Sequence, residues 1–222
     1  LLYATANVGV RSALLDVPGP EGHARMQQLL AGADVFYANR RHGFLERHGL
    51  SPEQAAAVRP GIVHATISLH GQTGPWADRP GFDQTAGCVT GVMTLEGTPQ
   101  APRLPSIMVV NDYLGAWLLT TGIVAALMRR AKEGGSWRVH VSLTRLSLWL
   151  YTLGLFDKAY AHATANSSPA HAYLDPEVFH ADTGLGTYQG VTEQVRMSRT
   201  PGRYEPVLVP RASGSPAWRA RG

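Results

Sequence analysis

Asp112 is the residue of this chain whose type and setting most suggest chemistry. It stands between a loop and an apolar run, Tyr113-Leu-Gly-Ala-Trp-Leu-Leu-Thr-Thr-Gly-Ile-Val-Ala-Ala-Leu-Met128, that carries no charge for sixteen residues. The run has the composition and length of a helix. A carboxylate at the start of that helix meets free backbone N–H groups and the positive end of the helix dipole. That setting stabilises the anion and aims it, as a nucleophile requires. The local sequence alone favours an N-cap aspartate, because Asp is a favoured capping residue. Only the wider context favours the nucleophile.

Metal chemistry has little support. The nine histidines lack the paired spacings suited to a metal site, and there is one cysteine, Cys88. We expect no metal. Cys88, between Gly87 and Val89, reads as buried apolar filler. A lone cysteine excludes an internal disulfide framework and fits a reducing cytoplasm. Walker and Gly-x-Ser-x-Gly motifs are missing too. The Gly-rich stretch 71–81 could approach a phosphate, although that signal is weak alone.

The elements that would position Asp112 alternate between helix and strand. Pro18-Gly-Pro20-Glu opens a helix through Leu30. Val35–Ala38 is a short apolar strand, and Ser51-Pro-Glu-Gln54 is a capping-box start with Pro at the first helical position. Gly61–Ser68 is rich in β-branched residues. Phe82 to Leu95 is expected to be one helix weakened by Gly87 and Gly91. Trp137–Ser142 alternates as a half-buried strand does, and Leu143 to Phe156 returns to helix. Such alternation predicts an α/β fold with a mostly parallel sheet flanked by helices. Ligands in such sheets bind beyond the carboxyl ends of the strands, which points to the loops after Ala38, Ser68 and Pro105. The Asp112 helix, spanning about 24 Å over 113–128, falls short of a bilayer core and is expected to be buried, so no membrane span is expected.

Two parts are expected, a main domain over 1–156 and an extended segment over 157–222 that packs on a surface and frays at its end. The 222 residues are 44% hydrophobic and 16% charged, and 20 Lys+Arg against 16 Asp+Glu leave a net charge of +4. The basic residues are scattered, which argues against nucleic acid and for a small phosphorylated ligand. A start at Leu1 without Met leads us to expect a longer parent chain.

Five motifs in order then resemble one family. Ala33-Asp-Val-Phe-Tyr-Ala-Asn-Arg-Arg-His-Gly43 with Leu45-Glu-Arg-His-Gly-Leu50 comes first. Arg59-Pro-Gly-Ile-Val63 with Ser68-Leu-His-Gly-Gln-Thr-Gly-Pro75 is the second, and Arg79-Pro-Gly-Phe-Asp83 the third. Asn111-Asp112-Tyr-Leu-Gly115 and Gly134-Gly-Ser-Trp-Arg-Val-His-Val-Ser-Leu143 complete the series, and Met197-Ser-Arg-Thr-Pro-Gly-Arg203 adds a C-terminal match. Together they resemble the class III CoA-transferases, the CaiB/BaiF family of formyl-CoA and carnitine CoA-transferase type.

The resemblance implies a Rossmann-like sheet, coenzyme A or acyl-CoA as substrate, and a carboxylic acid as acceptor. It makes Asp112 the covalent nucleophile and places Asn39, Arg41 and Arg47 near CoA, whose phosphates suit guanidinium pairing. Arg11 matches a CoA-binding arginine, although Val10 replaces the lysine before it. The chain lacks the family's first strand and most of its small-domain insert. A homodimer, or association with a missing N-terminal half, is therefore expected. Racemase or hydrolase chemistry on the same scaffold is the alternative, as is an inactive truncated copy that binds a partner. Phe82, where the racemase branch carries a histidine, removes one of the two bases that α-proton exchange needs.

Overall fold

The computed structural model describes residues 2–105, 109–193 and 195–219. The chain runs through α1 (Leu2–Ala6), α2 (Pro20–Ala31), β1 (Val35–Ala38), α3 (Phe44–Arg47), α4 (Pro52–Val58) and β2 (Val63–Ser68). It continues through α5 (Asp83–Thr90), α6 (Met93–Glu96), α7 (Val110–Glu133), β3 (Trp137–Ser142), α8 (Leu143–Thr152) and α9 (Lys158–Thr164), and ends in β4 (Val178–Thr183) and β5 (Gly186–Val191). Two compact units result: Met26–Leu155, and Leu1–Arg25 with Phe156–Gly222.

The 26–155 unit is an α/β sheet. β1, β2 and β3 lie in that order and pair in parallel, with Val35 opposite Val63 and Val63 opposite Trp137. β2 is central, and its residues 63–66 are buried, as a parallel strand covered on both faces must be. The capping box at α4 forms as its residue types demand. The Ser51 hydroxyl accepts from Gln54 N–H at 3.2 Å, and the Gln54 side chain accepts from Ser51 N–H at 2.9 Å.

α7 packs on β2 and β3 and against α5 and α8. Two glycines set that approach. A Cβ on Gly115 would stand 2.8 Å from Ile67 Cδ1, and one on Gly122 would stand 2.7 Å from Val139 Cγ1. At the far end of α7, Arg130 reaches Gly61 O at 2.9 Å and Asp34 Oδ1 at 3.1 Å, both just before strands. Near its start, the same helix meets Leu143 and Leu146, just after β3. α7 therefore runs from the carboxyl edge of the sheet to its amino edge. Leu69, Ala86, Leu143 and Leu146 make the apolar core beneath that start.

Several expectations need correction. α7 is a 24-residue helix, about 36 Å long, rather than the shorter segment expected. Among the described residues it is the one helix long and apolar enough to cross a membrane, by length and composition alone. It is also not largely buried: Asn111, Gly115, Leu119 and Ala126 are, whereas Tyr113, Trp117, Val124 and Met128 lie at least half exposed. The helix has one sheet to cover, so its opposite apolar side stays open. The helix expected over 82–95 is two, because Gly91 closes α5 in the left-handed region at φ 82°. Cys88 is exposed rather than buried, since α5 turns Asp83, Ala86 and Gly87 inward instead.

In the other unit, β4 and β5 form an antiparallel hairpin, with Val178 opposite Val191. Tyr3 Oη donates to Val209 O at 2.7 Å, Gly9 N–H donates to Val207 O at 2.9 Å, and Ala13 bridges Gly214. The segment 157–222 thus holds a helix and a hairpin where extended chain was expected. Thr183-Gly-Leu-Gly186 supplies the hairpin turn that the sequence reading passed over. Residues 220–222, at the end expected to fray, and residues 106–108 of the loop after Pro105 lie outside the described residues.

Candidate active site

The first turn of α7 is built by residues from three helices. The N-cap position is Val109, which offers no side-chain hydrogen bond. Asp112 is the third helical residue and not the cap, which corrects the local sequence reading. Capping passes to Asp83, the first residue of α5. Its Oδ2 accepts Asp112 N–H at 2.8 Å, and its Oδ1 lies 3.4 Å from Asn111 Nδ2. Ser147 Oγ on α8 donates to Asn111 Oδ1 at 2.7 Å. Asp83, Asn111 and Ser147 are each at most 2% exposed. A buried, fully bonded network of this kind fixes geometry, because each lost partner would strand a polar group in low dielectric.

Asp112 itself projects outward. Its carboxyl group is held above the ordinary carboxylate range, first by partial loss of water and second by the nearby Asp83 charge. The result is a carboxylate that is less well stabilised than a free one and therefore more basic. Such a carboxylate has given up part of its hydration shell and has the chemistry of a base or a nucleophile.

The carboxyl edge of the sheet also carries the region around α3. Asn39 and Arg41 follow β1 directly, and Arg47 ends α3. All three are exposed. Gly43 adopts φ 75°, and the Arg47 guanidinium lies over it, with Nη1 2.7 Å from where a Cβ would stand. Among the described residues, Asn39 and Arg41 make no side-chain hydrogen bond or ion pair. Nearby, Arg40 stacks on Phe44, Arg79 stacks on Trp76, and His42 pairs with Asp78 at 2.6 Å. One sheet edge therefore gathers the Asp112 turn with Asn39, Arg41 and Arg47. Arg11 belongs to the other unit and is exposed there.

A second polar network closes the carboxyl ends of β2 and β3. The His140 ring bridges Thr66 Oγ1 at 2.8 Å and Ser68 Oγ at 3.1 Å. Ser68 Oγ accepts Gly71 N–H, and Gln72 reaches Thr66 Oγ1 at one end and Arg138 at the other. This network holds the turn out of β2. Among the described residues no group of three His, Cys, Asp or Glu side chains could hold a metal.

Sequence reasoning missed Asp83, Asn111 and Ser147 as a unit. A clue was present: an aspartate opening a weak helix, and an asparagine beside Asp112, both in apolar surroundings. Their convergence is a tertiary fact that no spacing along the chain encodes.

The motif series and the parallel sheet agree with comparison to known proteins. The model of CoA-transferase family III matches residues 1–185, and the chain belongs to that family. The succinyl-CoA–L-malate CoA-transferase beta subunit of Chloroflexus aurantiacus is 33% identical over 135 residues, 60% of this chain and 33% of that protein. The acetyl-CoA:oxalate CoA-transferase of Acetobacter aceti is 29% identical over 185 residues, 82% of this chain and 47% of that protein. A CaiB/BaiF family protein from Brucella suis, of known crystal structure, superposes with a TM-score of 0.62 at 26% identity, covering 83% of this chain and 49% of that one. The chain spans about a third to a half of the length of these relatives.

Proposed function

We propose that the chain takes part in moving CoA from an acyl-CoA to a carboxylic acid, with Asp112 as the covalent nucleophile. The observation that carries this reading is the Asp112 carboxyl group, projecting from the first turn of α7 and held above its ordinary range. The names of the relatives support the reaction class.

An oxygen of Asp112 attacks the thioester carbonyl of the donor. The C–S bond breaks, CoA leaves as thiolate, and an aspartyl–acyl anhydride remains. The thiolate then attacks the aspartyl carbonyl, which releases the donor acid as carboxylate and leaves an aspartyl–CoA thioester. The acceptor carboxylate attacks that thioester and expels the thiolate. The thiolate then attacks the acceptor's carbonyl in the new anhydride, giving acceptor-CoA and free Asp112. Each stage replaces one difficult exchange by an easier one. Asn39, Arg41 and Arg47 supply amide and guanidinium donors for CoA phosphates at the same sheet edge, and Arg11 is assigned the same task. No metal enters any step.

The open apolar side of α7 and the share of the relatives' length that this chain spans support association with a second chain or a further segment. Light scattering on the complete protein checks this, and a monodisperse monomer counts against it. A reducing cytoplasm suits a protein whose single cysteine is exposed.

The deciding experiment is Asp112→Asn in the complete protein, supplied with succinyl-CoA and either L-malate or oxalate. A folded variant that still makes new acyl-CoA refutes the nucleophile. A folded, CoA-binding and inactive variant supports it, as does a hydroxylamine-sensitive adduct on wild-type Asp112. Free CoA as the sole product in the wild type would instead indicate hydrolysis.

A further inference from the structure

Asp83 is a carboxylate with no solvent to serve and no cation beside it. It is 2% exposed, and among the described residues no lysine or arginine pairs with it. Its partners are the backbone N–H of Asp112 and the side chain of Asn111. It also opens α5, so the N-termini of two helices meet at one anion, an arrangement that suits its charge. We propose that Asp83 is the positioning residue of the site: its buried carboxylate fixes the backbone of Asp112 and sets a like charge behind the nucleophile. This rests on the reading of Asp112 as nucleophile.

The electrostatic half of the role follows from charge bookkeeping along the reaction. Before attack, the Asp112 carboxylate is negative and faces the Asp83 charge. After attack, Asp112 is a neutral anhydride and the charge has left with CoA as thiolate. Repulsion present in the ground state is relieved as the C–S bond breaks. An interaction that weakens on the way to the transition state raises kcat, whereas one kept equal throughout would change only KM. The positional half follows from the bonds. Asp83 Oδ2 holds the one backbone N–H that belongs to Asp112 itself, while Asn111, itself held by Ser147, meets the other oxygen of Asp83. The nucleophile thus keeps an open side chain on an immobilised backbone.

The side chains of Asn and Asp have nearly the same shape, so Asp83→Asn removes the charge and leaves an acceptor for one of the two bonds. In the complete protein, assayed with succinyl-CoA, the folded variant is expected to keep KM for succinyl-CoA within about twofold and to lose roughly 10- to 100-fold in kcat, the scale of a misplaced reacting group. The acid limb of kcat, followed by adduct formation on Asp112, is expected to move to lower pH. A purely structural cap would not move that limb. An acid limb that stays in place overturns the proposal, as does an unchanged kcat.

Should Asp83→Asn not fold, Ser147→Ala tests the same chain of bonds. It loosens Asn111 and keeps both carboxylates, so kcat is expected to fall with the acid limb in place, and an unchanged kcat overturns the proposal. The two levels of inference fail differently. Transfer retained by Asp112→Asn removes the nucleophile. An adduct on Asp112 together with an Asp83→Asn variant of wild-type profile removes only the positioning role.

Discussion

Gly122→Ala tests whether close approach of α7 to the sheet sets the site. A Cβ there would lie 2.7 Å from Val139 Cγ1, well inside van der Waals contact. Val139 is β-branched and held in a central register opposite Ala65, so its χ1 has little freedom to yield. The helix must then lift or tilt. Overpacking of this kind costs about 1–3 kcal/mol, while replacing a mid-helix glycine by alanine returns about 1 kcal/mol of propensity. The net expectation is a loss of about 1–2 kcal/mol, or roughly 2–8 °C in Tm for a chain of this size. Urea unfolding of wild type, Gly122→Ala, Val139→Ala and the double variant closes a double-mutant cycle. Shortening Val139 should restore the room, so the double variant is expected to be more stable than the two single effects predict, by about 1 kcal/mol or more. Transfer activity should follow the same order, because a lifted α7 carries Asp112 with it. A Gly122→Ala variant as stable as wild type, with no coupling to Val139, would show that the glycine does not control the approach.

Other outcomes follow from the same contacts. Asp112→Asn should unfold at higher urea than wild type at neutral pH. The raised Asp112 group contributes stability below its ordinary value of 3.8 and loses that contribution as pH rises through its folded value, and the amide does not titrate. His64 is buried with Nε2 donating to Leu50 O at 2.9 Å and Nδ1 unbonded, so burial holds its pKa down. Its contribution is complete above the unfolded value of 6.5 and is lost as pH falls below it. Thermal unfolding from pH 8 to 5 should show that fall, and His64→Gln should make it shallower without abolishing it, because His140 and His70 are lowered too. Ser51→Ala removes the α4 cap and should cost about 1 kcal/mol in urea unfolding.

What the sequence disclosed and what it hid divide along physical lines. Helix α4 and strands β1 and β2 were legible because local rules govern them: a capping box at Ser51, and short apolar runs ended by Asn39 and by the Gly71 turn. The parallel pairing followed from helices separating the strands. Asp112 was visible as a carboxylate before an apolar helix, but its true place, two residues inside that helix, was not. The reason is that Asp83 caps from another element, so Val109 needed no capping side chain. The exposed side of α7 was equally hidden, because an apolar helix gives no sign of which face lacks a neighbour. Cys88 illustrates the same limit on α5. The β4–β5 hairpin failed to register because its residues alternate weakly and its turn, Gly184-Leu-Gly186, sits among other small residues.

The anchoring of α7 at its far end makes it a lever. Arg130 ties it to Asp34 and Gly61 at the amino edge of the sheet, and Asp112 lies eighteen residues away at the other end. That arm is about 27 Å long, so a tilt of only about 2° at the anchor swings the carboxyl group by roughly 1 Å. A shift of that size can cost a nucleophile on the order of 100-fold in rate. Arg130 and Asp34 make no hydrogen bond to Asp112, yet they stand at the fulcrum of the proposed nucleophile, where small errors of angle become large errors of aim.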